Sequence, residues 1–280
     1  MYKYLPPERI DILQNNLICF NNPLNFNDPF EFNTSFKLNN FESTLHDSLI
    51  TTDLFKELPA DILNSIELLP KETVSKIIEE ATKEILSFYE LAKPNIIKTT
   101  ESLMQEFNSS LIRMTRILSL SDNPTNILMW GHYAQSHSGF VIELDTNHPF
   151  FSQRRSHKDE FGFLRRVVYQ KEYPSLDPLL SENTESHFLI KSSDWEYENE
   201  WRMLLPQSSS DKTININGKE YDLYKIPSSS IKSIIFGCNA SENFRKDVFK
   251  LIRSRNDYSH VIFMQAIKSN TKFEIELNML

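Results

Sequence analysis

The chain has 280 residues, long enough to bury one sizeable core without requiring a second domain. Hydrophobic residues at 40% and charged residues at 24% are ordinary for a soluble globular protein, and a formal charge of -8 gives no electrostatic footprint for nucleic acid. The five glycines, Gly131, Gly139, Gly162, Gly218 and Gly237, are too scattered to form GxGxxG, GxxxxGK[ST] or GxSxG, so three large enzyme classes lose their usual signature.

HExxH is also absent, and Cys19 and Cys238 form no CxxC pair, so neither a metalloprotease helix, a zinc cluster nor a disulfide framework is indicated. The opening "MYKYLPPERID" lacks a basic n-region and an apolar h-region, and no apolar run approaches membrane-spanning length. The expectation is a cytoplasmic protein without a membrane partner.

In chain order, Tyr2 to Leu5 reads as a strand, followed by a short helix to about Asn15 with Pro7 in its first turn, and then the strand "LICF". "NNPLNFNDPFEFN" is turn-rich, with Phe26, Phe30 and Phe32 as anchors. From about Asn40 to Ile117 the pattern becomes helical: Val74, Ile77, Ile78, Ala81, Ile85 and Phe88 make one stripe, in a helical insertion or layer on a strand-rich core. "RILSLSD" is a strand. "DNPTNILMWGHYAQSHSG" reads as a helix with Asp122 or Asn123 as N-cap and Gly139 as C-cap. "FVIELD" and "FLRRVVYQ" are strands, and a short helix is expected around Glu182 to Lys191. The tail reads strand, helix, strand, strand. The fold class is α+β, as a single domain over residues 1–280 with the helical insertion inside it.

"SSDWEYENEWRMLLP", Ser192 to Pro206, is the densest polar and aromatic stretch. Ser193 and Glu196 match a capping box, but helical spacing separates Trp195 from Trp201. On a strand, Trp195, Tyr197, Asn199, Trp201 and Met203 share one face and Glu196, Glu198, Glu200, Arg202 and Leu204 the other. The division of aromatic from charged predicts a strand entered through a turn at Ser192 to Asp194. It would display Glu198 and Glu200 side by side, either into a site or as a solvated edge row.

Two further stretches carry candidates. On the predicted helix, Trp130, Tyr133 and His137 share a face, as an aromatic core stripe or as a wall that grips a planar ring. In "FNDPFEF", Asn27 and Asp28 most simply make a turn and Glu31 is most simply exposed, although flanking phenylalanines could aim them into a pocket. Arg154, Arg155, Lys158, Arg165 and Arg166 read as a solvated basic loop or a local basic groove.

"YKYL", "FNDPFEF", "LSLSDN", "MWGHYAQSHSGFVIELD", "VVY" and "WEYENEWR", in that order, resemble a bacterial family, domain-of-unknown-function family 2971. More distantly, the pattern is similar to ADP-ribosyltransferase-like folds, which bind NAD in the cleft of a split, strand-rich core without a glycine-rich loop. That likeness implies E-x-E catalytic residues at Glu198 and Glu200, with the last one catalytic. It also implies a first-strand residue at Tyr4 and a middle-strand serine at Ser119 or Ser121. NAD would be consumed as a substrate, with Trp130 or Tyr133 stacking on nicotinamide, Arg202 or Lys191 on a phosphate, and Asn27, Asp28 and His137 completing the pocket. No resident metal is implied. The acceptor would be a protein or a nucleic acid, and the setting a toxin or a phage-defence effector. The alternatives are a metal-dependent nuclease or phosphoesterase built on Asp28, Glu31, Glu198 and Glu200, and a non-catalytic binding or sensing module.

Overall fold

Runs of β-branched and aromatic residues become strands in the computed structural model, which describes residues 1–32, 35–36, 62, 64, 66, 68–173, 175–176 and 184–280. The strands are β1 (Tyr2–Leu5), β2 (Leu17–Phe20), β3 (Ser35–Phe36), β4 (Thr115–Ser121), β5 (Phe140–Leu144), β6 (Leu164–Arg166), β7 (Val168–Gln170), β8 (Ser175–Leu176), β9 (Ile190–Ser192), β10 (Glu200–Pro206), β11 (Lys212–Ile216), β12 (Lys219–Lys225), β13 (Ile231–Phe236), β14 (Ile262–Lys268) and β15 (Ile275–Met279). Contacts divide the chain into two compact units. One comprises Met1–Asn33, Ser110–Tyr173 and Glu185–Leu280, and the other Thr34–Ser109 and Pro174–Thr184.

The first unit is built on an eight-stranded sheet in the order β15-β14-β13-β5-β1-β4-β10-β6. Its pairs are antiparallel except β13 with β14. Alternation along the strands sorts the core onto two faces. Leu5, Leu118, Leu120, Phe140, Ile142, Met203, Ile234 and Phe236 pack with Ile12, Leu13, Val248 and Ile252 of the helices Asp11–Asn15 and Glu242–Arg253. Tyr4, Val141, Ile235 and Ala266 turn the other way, onto Met129 and Trp130 of the helix Ile127–Tyr133. On that second side Ile117 and Leu204 meet Phe32 and Phe188. The expected α+β class is what this mixture of one large sheet and flanking helices presents.

The sheet has one weak seam. β1 and β5 share four registered pairs and β4 and β10 share seven, whereas β1 and β4 share the single pair Tyr2↔Ser121. Beyond it, side chains span the gap: the Lys3 ammonium donates to the Ser119 carbonyl at 2.9 Å and the Tyr4 hydroxyl to the Asn123 carbonyl at 2.6 Å.

In the second unit, the helix Lys71–Met114, whose last turn belongs to the first unit, runs through Pro94, and β3 pairs with β8 in parallel. The part of the expected helical block between Asn40 and Asp61 lies outside the described residues.

Several expectations fail for local reasons. "FLRRVVYQ" is two strands: β6 pairs with β10, β7 pairs with β9, and the chain turns at Val167, whose N–H donates to the Glu200 carbonyl at 2.9 Å. The helix expected up to Lys191 gives way to a 3-10 turn, Thr184–Leu189, and Lys191 lies on β9. The helix containing Trp130 starts at N-cap Asn126, whose side chain accepts from the Met129 N–H, and ends at Tyr133. It cannot reach Gly139 because Gln135, Ser136 and His137 have φ of 47°, 52° and 67°, three successive left-handed residues. That turn fits because Gly237 lacks a Cβ, which would fall 2.1 Å from the His137 carbonyl oxygen.

Candidate functional site

"WEYENEWR" does not form one strand. Ser193–Glu198 is a 3-10 turn capped by the Ser192 hydroxyl, and the chain then passes through Asn199 at φ 46°, ψ 51° before β10 begins at Glu200. Asparagine tolerates this left-handed geometry better than most residues. The Asn199 N–H closes the turn on the Glu196 carbonyl at 3.1 Å. From Glu200 onward the two-residue period applies: Met203 and Leu205 enter one core cluster and Leu204 another. The carboxylate pair is buried and is not a solvated edge row, with Glu198 3% and Glu200 4% exposed and Arg202 fully enclosed.

The two carboxylates nonetheless converge. Lys191 places its ammonium 2.6 Å from Glu198 Oε2, 3.2 Å from Glu200 Oε2 and 3.0 Å from Glu31 Oε1. Arg202 donates from Nε to Glu200 Oε1 at 2.7 Å and from Nη2 to Glu200 Oε2 at 2.9 Å, and Nη2 also reaches Glu31 Oε2 at 3.1 Å. Its Nη1 donates to the Phe188 carbonyl at 2.7 Å, and its guanidinium lies over the Phe26 and Phe32 rings at 5.3 and 5.5 Å. The Tyr133 hydroxyl donates to Glu198 Oε1 at 2.5 Å. Backbone clamps fix the turn: Ser121 Oγ donates to the Glu198 carbonyl at 2.7 Å, Asn126 Nδ2 to the Tyr197 carbonyl at 2.8 Å, and the Glu200 N–H to the Tyr169 hydroxyl at 2.8 Å.

Burial and charge pull these groups apart. Burial alone would raise the Glu200 carboxyl, but Arg202 and Lys191 outweigh it and hold it at about 2. For Glu31 burial wins over the same two cations and the carboxyl is pushed up. Burial would depress the Lys191 ammonium, but Glu200 and Glu31 hold it well above the usual lysine range. Burial and the Glu198 charge push the Tyr133 hydroxyl up, so Tyr133 stays a neutral donor.

This cluster forms part of the lining of a cavity of about 360 Å³, within the usual ~300–1,000 Å³ for small-molecule sites. Tyr2, Lys3 and Tyr4 of β1 and Ser119, Leu120 and Ser121 of β4 line it across the seam. Asn21, Asn25, Phe26 and Asn27 of the turn-rich loop, Met129, His132 and Tyr133 of the helix, and Lys191, Glu198 and Glu200 complete it.

Residues 129–203 match the model of a family described as a protein of unknown function, DUF2971. No curated protein and no solved structure matches the chain. The matched segment carries Tyr133, Lys191, Glu198, Glu200 and Arg202, most of the cluster. Glu31 and the β1 and β4 walls of the cavity lie before it.

Of the residues singled out in the sequence, Tyr4, Asn27, Ser119, Ser121, Tyr133, Lys191, Glu198 and Glu200 meet around this cavity, and Arg202 stands behind Glu200. Asp28 is buried, with Oδ1 accepting from the Phe30 N–H at 2.8 Å, as a turn former does. Trp130 is fully buried against Tyr4 and donates Nε1–H to the Pro124 carbonyl at 2.8 Å. His137, carried out of the helix by the left-handed turn, stacks on Trp130 and lines a different cavity beside Cys238 and Lys268.

Glu31, expected to be exposed, has its side chain 1% accessible inside the cluster, because two cations there offset the cost of burying it. Of the basic residues near Arg154, three are paired locally: Arg155 with Asp159, and Arg154 and Arg165 with Glu160. Among the described residues no three His, Cys, Asp or Glu side chains are disposed to hold a metal ion, and no helix is long and apolar enough to cross a membrane.

Proposed function

We propose that the protein consumes NAD as an ADP-ribosyltransferase-type enzyme, breaking the bond between ribose C1′ and the nicotinamide nitrogen in the cavity beside Glu198. The observation that carries this is the convergence of Glu198 and Glu200, ionically held and buried, onto an aromatic-walled cavity at the seam of a strand-rich sheet. Such a bond break leaves an oxocarbenium-like sugar, while the electron pair goes to a nitrogen that was already cationic, so no general acid is needed. Fixed carboxylates in a water-poor site stabilise that developing charge.

The roles divide by pairing. Glu200 receives three charge-assisted bonds, from Arg202 Nε, Arg202 Nη2 and Lys191, and supplies field. Glu198 receives one charged and one neutral donor and keeps more accepting capacity for a ribose hydroxyl or for the proton of an acceptor. Tyr133 fixes its direction.

Purified protein incubated with labelled NAD and protein, RNA or DNA acceptors should release nicotinamide. Glu198→Gln should abolish release while NAD still binds. Absence of both NAD binding by calorimetry and nicotinamide release would sink the proposal. A binding module that recognises its ligand without reacting is the second reading, favoured by the engagement of all six carboxylate oxygens of Glu31, Glu198 and Glu200. Tight NAD binding with no turnover, unchanged in Glu198→Gln, would select it.

A further inference from the structure

Two lysines enter the cavity, and their surroundings are opposite. Lys191 is spent on three carboxylates. Lys3, on β1, donates to the Ser119 carbonyl at 2.9 Å and forms no ion pair among the described residues. An ammonium carries three donors, and one is used here. Arg202, the other cation of the site, is committed to Glu31, Glu200 and the Phe188 carbonyl. Lys3 thus lines the cavity with no carboxylate in direct contact among the described residues, while Glu200 and Glu198 act on its charge at longer range.

A second donor lines the cavity. Asn21 is fastened to β4 through paired backbone bonds with Ile117, at 2.8 and 2.9 Å, and lines the same cavity. Its Oδ1 accepts from Cys19 Sγ at 3.2 Å, which leaves the amide NH₂ without a partner among the described residues. Burial pushes the Lys3 ammonium down from its ordinary value, against the raising influence of Cys19, Glu200 and Glu198. A buried cation without a directly bonded counter-charge is costly, and a bound anion would offset that cost.

We propose that the seam between β1 and β4 is an oxyanion subsite, in which Lys3, with the Asn21 amide, receives the phosphate or carboxylate group of a small-molecule ligand. It deepens the NAD proposal and rests on it only for the dinucleotide; the oxyanion chemistry follows from Lys3 and Asn21 themselves. The reacting end of the ligand would then lie toward Glu198, and the anionic end toward the seam. Discrimination between a nucleotide and its nucleoside would rest with Lys3.

Lys3→Gln tests this, because glutamine keeps a donor for the Ser119 carbonyl while removing the charge. The wild-type protein should bind inorganic pyrophosphate or malonate, the first probing a phosphate and the second a carboxylate. Lys3→Gln should weaken that binding, and NAD binding with it, by roughly 10- to 100-fold, the range of one charge-assisted hydrogen bond. Nicotinamide riboside, which has no phosphate, should bind both forms alike, and Lys3→Arg should recover much of the lost anion affinity. If neither anion binds the wild type, or if Lys3→Gln binds them as tightly, the subsite is refuted. If an anion binds through Lys3 while NAD does not bind at all, the subsite stands and the NAD proposal falls.

Discussion

Strand β4 begins near one buried ion network and ends near another, and the two differ in balance. At its start Arg116 pairs with Asp222, one cation with one anion, and Thr213 and Gln207 fill the remaining carboxylate positions. Toward its end three acids, Glu31, Glu198 and Glu200, share two cations, Lys191 and Arg202, beside a cavity. Burial of charge is common to both. The surplus anion and the adjoining space belong to one alone, and they make that network a candidate site while the other is scaffolding.

The largest expected effect comes from removing the cation that three acids share. Lys191→Met should cost about 4–5 kcal/mol in urea unfolding, since it strands buried carboxylates with one guanidinium. Arg116→Met should cost about 3 kcal/mol, because a single anion is left and two neutral donors still serve it. Equal losses at the two places would erase the contrast.

Acid should act on both networks, because burial would raise the Asp222 carboxyl but hydrogen bonds from Thr213 and Arg116 hold it below its ordinary value too. Glu200 can be followed by itself. Glu200 sits at about 2 in the fold against 4.5 for a free glutamate, so the folded state binds fewer protons. Its contribution to stability is complete above 4.5 and disappears as the pH falls toward 2. Melting temperatures recorded from pH 5 downward should therefore show a limb that Glu200→Gln flattens.

Smaller effects sharpen the picture. Tyr133→Phe removes the one neutral donor to Glu198 and should cost about 1.5 kcal/mol; under the proposed NAD reaction, nicotinamide release should fall further than stability. Asn199→Ala should cost about 1 kcal/mol through its left-handed backbone, and Asn199→Gly less, as read by denaturant midpoints.

Much of the frame was legible along the chain. β1, β2, β4, β5, β13, β14 and β15 stand where alternation and β-branched residues put them, because local preference and burial agree there. Glu198 and Glu200 were also legible from strand alternation and Tyr133 from its helical aromatic face, whereas Tyr4 and Ser119 or Ser121 came only from the likeness to ADP-ribosyltransferase-like folds. What escaped was set at long range. Glu31 looks like a turn residue until Lys191 and Arg202 arrive from far along the sequence. Lys3 looks like any strand lysine until β4 parts from β1. Asn199 was the missed local signal: an asparagine after a run opened by "SSD" marks the end of a short turn, and it moves the strand start past Glu198.

The lone Tyr2↔Ser121 pair gives the sheet a line of unequal exchange. β1 is laced along its β5 edge at four positions, so amides held there should trade protons for deuterium only when the whole sheet opens. Along the β4 edge the lacing is a lysine and a tyrosine side chain, which a rotamer change can undo. One four-residue strand thus has a slow side and a fast side, and a molecule settling between β1 and β4 would register first as the loss of the fast one.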